Sequence, residues 1–111
     1  MDHRTNLLQE TISNITEHDR SVDDVQYVSR STSGWDDIEP EWCTWEEFAS
    51  RADFEYYAGY GGEEINTSLK VVGSNWWLER HEYDGSEWWE FKTMPMKPSL
   101  HVPDFNLRRR E

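Results

Sequence analysis

The run Trp76-Trp77-Leu78-Glu79-Arg80-His81-Glu82-Tyr83-Asp84-Gly85-Ser86-Glu87-Trp88-Trp89-Glu90-Phe91-Lys92 decides the fold. Two aromatic-rich arms flank Asp84-Gly85, and an Asp-Gly pair in that position is a strong hairpin signal. A type I′ turn needs positive φ at both central residues, which Asp tolerates and Gly adopts freely. With a two-residue loop the register follows: Tyr83 faces Ser86, His81 faces Trp88, Arg80 faces Trp89, Leu78 faces Phe91 and Trp77 faces Lys92. Side chains alternate between the two faces of a strand, so each Trp doublet sends one indole to each side. Trp76, Leu78, Arg80, Trp89, Phe91 and Thr93 form one face, whose apolar end suits a core and where Arg80 can lie over the Trp89 ring. Trp77, Glu79, His81, Tyr83, Trp88, Glu90 and Lys92 form the other, a mixture of large aromatics and charges with the composition of an interface. The competing expectation is that the N-terminal helix or the C-terminal segment covers that second face, because bare indoles reduce solubility.

A hairpin alone is marginal and needs a third strand or a covering helix. The alternation of Ile65, Thr67, Leu69 and Val71 predicts that strand, and Gly73-Ser74-Asn75 the turn joining it to the hairpin. Upstream, Leu8, Ile12 and Ile15, widened by Leu7, place an amphipathic helix over residues 5–18, with Thr5 or Asn6 as its cap. Val25, Tyr27 and Ser29 alternate as a short strand reaching residue 30, and Gly34 and Pro40 mark 31–41 as a loop. Thr44-Trp45-Glu46-Glu47 is a capping-box pattern, so a second helix starts there, with Trp45, Phe48, Ala49 and Ala52 inward. The aromatic and glycine-rich run from Phe54 to Gly62 is poorly suited to a helix. Pro95, Pro98 and Pro103 exclude regular structure at the C-terminus. The expectation is an α+β domain over residues 1–95, an antiparallel meander of three to four strands with two helices, and an extended tail over 96–111.

Composition narrows the function. The 111 residues suit one core. Twenty-three acids against eleven Lys and Arg give −12, and residues 21–60 alone carry −8. Such a charge repels nucleic acid and anionic membrane and steers basic proteins inward. A halophilic origin is the plain alternative for the acidity, since lysines are few. No long apolar run or basic-then-apolar start is present, so a soluble cytoplasmic setting is expected. The single cysteine, Cys43, excludes an internal disulfide, and its acidic neighbours Glu41, Glu46 and Glu47 favour the protonated thiol. The sequons at Asn14 and Asn66 mean little without a secretory route.

Three constellations could carry function. Trp77, Glu79, Trp88 and Glu90 could form a contact surface on the second hairpin face. Glu79, His81 and Glu90 could converge on a metal or share a proton, although no HExxH-like spacing, phosphate loop or serine elbow supports chemistry there. Asp36, Asp37, Glu39, Glu41, Glu46, Glu47, Asp53 and Glu55 cluster around Trp35, Trp42 and Trp45, combining tryptophans with carboxylates whose spacing approaches that of phosphates, about 5–7 Å on a helix or strand. Neither catalytic residues, a metal nor another cofactor is expected.

The hairpin run, with Thr44-Trp45-Glu46-Glu47-Phe48 and the Tyr60-Gly61-Gly62 turn, is similar to small uncharacterised acidic proteins encoded by bacteriophages, over roughly residues 44–95. The resemblance implies a bacterial host's cytoplasm and an inhibitor of host nucleic-acid enzymes or defence complexes; it carries over no functional residue. The leading expectation is a non-enzymatic protein that occupies the basic nucleic-acid-binding surface of a partner such as a nuclease, without touching nucleic acid or membrane itself. The alternative is an assembly module using the aromatic hairpin face.

Overall fold

The computed structural model describes residues 4–31, 40–59 and 64–108. In chain order it has β1 (Arg4–Asn6), α1 (Leu7–Glu17), one 3-10 turn (Val22–Asp24), β2 (Tyr27–Arg30), β3 (Glu41–Cys43), α2 (Trp45–Ala52), β4 (Glu55–Tyr57), β5 (Lys70–Val72), β6 (Trp76–Tyr83) and β7 (Ser86–Thr93). The fold is α+β: a five-stranded antiparallel sheet in the order β3-β2-β5-β6-β7, a small β1-β4 ribbon, and two helices. No described helix is long and apolar enough to cross a membrane.

The β6-β7 hairpin has the register read from Asp84-Gly85, with Tyr83 opposite Ser86 and Trp77 opposite Lys92. Both turn residues have positive φ, 53° at Asp84 and 86° at Gly85, as a type I′ turn requires. The first hairpin face is the core. Trp76, Leu78 and Trp89 are buried there with Val28 and Val71 of the neighbouring strands, beneath Leu7 and Ile15 of α1 and Phe48 and Ala52 of α2.

Gly73 makes the turn into β6 possible in two ways. Its N–H donates to the Trp76 carbonyl at 2.8 Å, and a Cβ there would lie 2.1 Å from the Trp76 indole. The indole cannot yield easily, because it is fully buried and its Nε1 donates to Asp24 at 2.7 Å.

Both helices begin where their caps predict. Asn6 accepts from the Gln9 N–H, and Thr44 and Glu47 form the complete reciprocal capping box. The inward stripe of α1 is shifted from the predicted Leu8-Ile12-Ile15: the buried positions are Leu7, Thr11 and Ile15, with Leu8 half-buried. A polar residue sits in that stripe because a buried indole needs an acceptor. The Thr11 hydroxyl donates to the Leu7 carbonyl at 2.7 Å and accepts from Trp89 Nε1 at 2.9 Å.

Two strand predictions are corrected. The alternating segment 65–72 is a strand only over Lys70–Val72, because polar side chains capture the earlier backbone. Glu87 accepts from the N–H groups of Glu64 and Ile65, and Asn66 accepts from Ser68, closing an Asx turn. Conversely, Glu41–Cys43 lies at the end of a segment read as loop, yet pairs with β2 as the edge strand. Three residues are too few to show a period of two.

The layers are tied together at Arg80. Its guanidinium is buried and bonded to Glu87 at 3.0 Å and to the Tyr56 hydroxyl at 3.0 Å, with Glu10 of α1 at 3.6 Å. It also lies over the Trp89 ring, 4.8 Å from the centroid, as the hairpin register anticipated. The Tyr56 hydroxyl donates to Glu10 at 2.6 Å. Burial first, and then that bond to a carboxylate, holds the phenol well above its ordinary range. Replacing Arg80 with Met is expected to destabilise the protein by about 3–5 kcal/mol in urea titration, because Glu10 and Glu87 lose their buried cation.

The open face of the sheet

Strand pairing extends the second hairpin face across all five strands. Tyr27, Val72, Trp77 and Lys92 form one row across β2, β5, β6 and β7, and Trp42, Ser29, Lys70, Glu79 and Glu90 form a second starting at β3. His81 and Trp88 pair in a third. Both helices pack on the opposite face, and the described tail residues, 94–108, are all exposed. Among the described residues, then, neither α1 nor the tail covers this face. It is open, with Trp77 and Trp88 half-buried by their neighbours and Trp42 fully displayed at 67% exposure. Between Tyr27 and Trp42 lies a shallow depression of about 780 Å³, floored by Ser29, Lys70 and Val72.

The charged groups of this face are already satisfied. Glu79 accepts from Trp77 Nε1 at 2.7 Å and contacts His81 Nε2 at 2.8 Å. Glu90 accepts from Trp88 Nε1 at 3.1 Å and pairs with Lys92 at 3.3 Å. The indole bond is the largest cause holding each carboxyl below its usual range, with His81 and Lys92 adding to it. The consequence is geometric as well as electrostatic. Each carboxylate pins an indole in place, so the rings are presented as a rigid surface with little rotamer freedom left to lose on contact.

The candidate acid-base triad does converge: His81 Nε2 also lies 3.5 Å from Glu90. Its oxygens are occupied by two indoles and a lysine, and no cluster of three His, Cys, Asp or Glu able to hold a metal occurs among the described residues. The pairing orients aromatic rings rather than presenting free ligands.

The other sequence-derived site residues are placed elsewhere. Trp35, Asp36, Asp37 and Glu39 lie outside the described residues. Glu41 is exposed at the sheet edge in an ion pair with Arg30 at 3.2 Å. Glu46 is exposed in the first turn of α2, while Glu47 is committed to the capping box, which holds its carboxyl below the ordinary value. Glu46 and Glu47 lie on the helix-bearing side, so the structure does not join them to Trp77, Glu79, Trp88 and Glu90 in one site, whereas Glu41 at the sheet edge reaches the rim of the depression beside Trp42. Nearby, burial first and Glu47 second push the Cys43 thiol up, which keeps it protonated. Tyr27, Lys70 and Val72 were absent from the predicted surfaces, and Trp42 was grouped with the acidic stretch rather than with the hairpin face. Tyr27 was legible as one side of an alternating strand, but only its pairing to β5 assigns that side to the open face.

Comparison with protein-family models, with curated proteins and with solved structures finds no match to this chain.

The depressed carboxyls make stability sensitive to acid. Folded Glu79 and Glu90 bind protons less tightly than in the unfolded chain, where carboxyls titrate near ~4.3. Their contribution is therefore complete above that value and lost as pH falls through the lower folded values. The melting temperature is expected to drop steeply below pH ~4, and a Glu79→Gln, Glu90→Gln variant to show a flatter acid limb in scanning calorimetry.

Proposed function

We propose that the chain is a non-enzymatic protein-binding module whose recognition surface is the open face of the five-stranded sheet, and whose partner is basic. The observation that carries this reading is the uncovered aromatic surface: Tyr27, Trp42, Trp77 and Trp88 on one face, with Glu79 and Glu90 locked to the indoles. Interfaces concentrate Trp and Tyr anchors of this kind, and rigid aromatic rings give contact area at little entropic cost. The −12 formal charge supplies the partner's sign, since it steers basic surfaces in over distances beyond direct contact. Anchoring and steering are thus assigned to different residues.

Occupation of a basic nucleic-acid-binding surface is the form of this reading that the acidic middle of the chain favours, with residues 21–60 carrying −8. The resemblance to small phage proteins agrees with a partner among host nucleic-acid enzymes. The two contributions separate experimentally. In affinity capture from a bacterial lysate, Trp42→Ala with Trp88→Ala is expected to abolish retention of the partner. Glu46→Gln is expected to reduce it by less than about tenfold, a difference of ~1.4 kcal/mol, and to weaken its salt dependence. Retention unaffected by the tryptophan changes but lost with Glu46→Gln would transfer recognition to the acidic pole.

A further inference from the structure

The tail beyond β7 is apolar, basic and punctuated by prolines. Among the described residues, six of the ten exposed large hydrophobics lie in it, at Met94, Met96, Leu100, Val102, Phe105 and Leu107, although none belongs to a described helix or strand. Its charge is opposite to that of the rest of the chain. Residues 96–111 carry four Lys and Arg against two acids, giving +2, whereas the whole chain is −12. It also contains Pro95-Met96-Lys97-Pro98, a PxxP spacing with a basic residue inside it. Prolines at that spacing hold a chain in the polyproline II form, which aromatic-lined grooves bind with little ordering cost.

Resting on the reading of the open face as a binding surface, we propose that its occupant is the proline-containing tail of a second copy of this chain, exchanged reciprocally to form a two-fold dimer. The tail leaves the sheet from the edge strand β7, at the edge opposite β3, where the Met94 N–H donates to the Asn75 carbonyl at 3.1 Å. The eight steps from Pro95 to Pro103 extend about 25 Å as polyproline II, enough to cross five strands spaced about 4.8 Å apart. Pro95 and Pro98 stack against Tyr27 and Trp42 at the depression between them, and Lys97 reaches the exposed Glu41 at its rim. An isologous exchange also satisfies both tails and both faces at once, leaving no unpaired site from which a filament could grow.

Sedimentation velocity on the full chain across a concentration series tests this. The wild type is expected to pass from monomer to dimer, and sodium chloride at about 0.5 M to weaken the dimer by screening Lys97 and Arg108. Two variants, Trp42→Ala on the face and Pro95→Ser with Pro98→Ser on the tail, are each expected to weaken dimerisation at least about tenfold. An equimolar mixture of the two should recover dimer beyond either alone, because it restores one intact face with one intact tail. Circular dichroism of each variant distinguishes a lost contact from a lost fold. A wild type that stays monomeric to about 0.5 mM, a dimer indifferent to the proline changes, or a mixture with no recovery would each overturn the exchange. None of those results bears on capture of a different partner by the same face.

Discussion

The buried guanidinium of Arg80 is the interaction on which the rest of the structure depends. A bare cation in a protein interior is strongly unfavourable, so every element that touches it is constrained to bring compensation. Glu10 comes from α1, Tyr56 from the β1-β4 ribbon, and Glu87 from the facing strand of the hairpin, while Trp89 supplies its ring. Glu87 then spends its remaining capacity on the N–H groups of Glu64 and Ile65, fixing the chain before β5. Arg80 Nε and Nη1 have no hydrogen-bond partner among the described residues, which leaves the stacked ring and the Glu10 contact as their compensation. One side chain thereby sets how the helix, the ribbon and the sheet meet.

The opposite face is free because α1 and α2 both pack on the core side of the sheet, and no described element remains to cover Trp77 and Trp88. Their indoles are instead immobilised by Glu79 and Glu90 within the same strands. The arrangement uses four acids in two different ways: Glu10 and Glu87 neutralise a buried cation, and Glu79 and Glu90 hold aromatic rings rigid. Excess negative charge is left for the rest of the surface, where it acts at long range.

What was legible in the sequence follows from what is local. Asp84-Gly85 has one favourable turn geometry, so the complete hairpin register could be written from it, and Thr44 with Glu47 likewise announced α2. Arg80 over Trp89 came from that register directly. What could not be read was settled by distant partners. Thr11 is an inward residue of α1 only because Trp89 lies 78 positions away, and Ile65-Thr67-Leu69 alternates like a strand but loses its backbone donors to Glu87 and Asn66. Trp42 joins the open face through a three-residue edge strand too short to carry a period. The acidic stretch is divided for the same reason: Glu46 and Glu47 follow α2, while Glu41 and Trp42 belong to the edge strand, a separation that proximity in sequence does not show.

The central claim is that the described tryptophans divide into a packing set and a contact set, and that the contact set receives the tail. The most direct measurement is a two-dimensional nitrogen–proton NMR spectrum of the indole N–H groups, recorded on the full chain as a peptide of residues 94–108 is added. The expected result is movement of the Trp42, Trp77 and Trp88 signals while Trp76 and Trp89, bonded to Asp24 and Thr11, stay fixed. Movement confined to Trp45 on the α2 side, or none among the three open-face indoles, would contradict it.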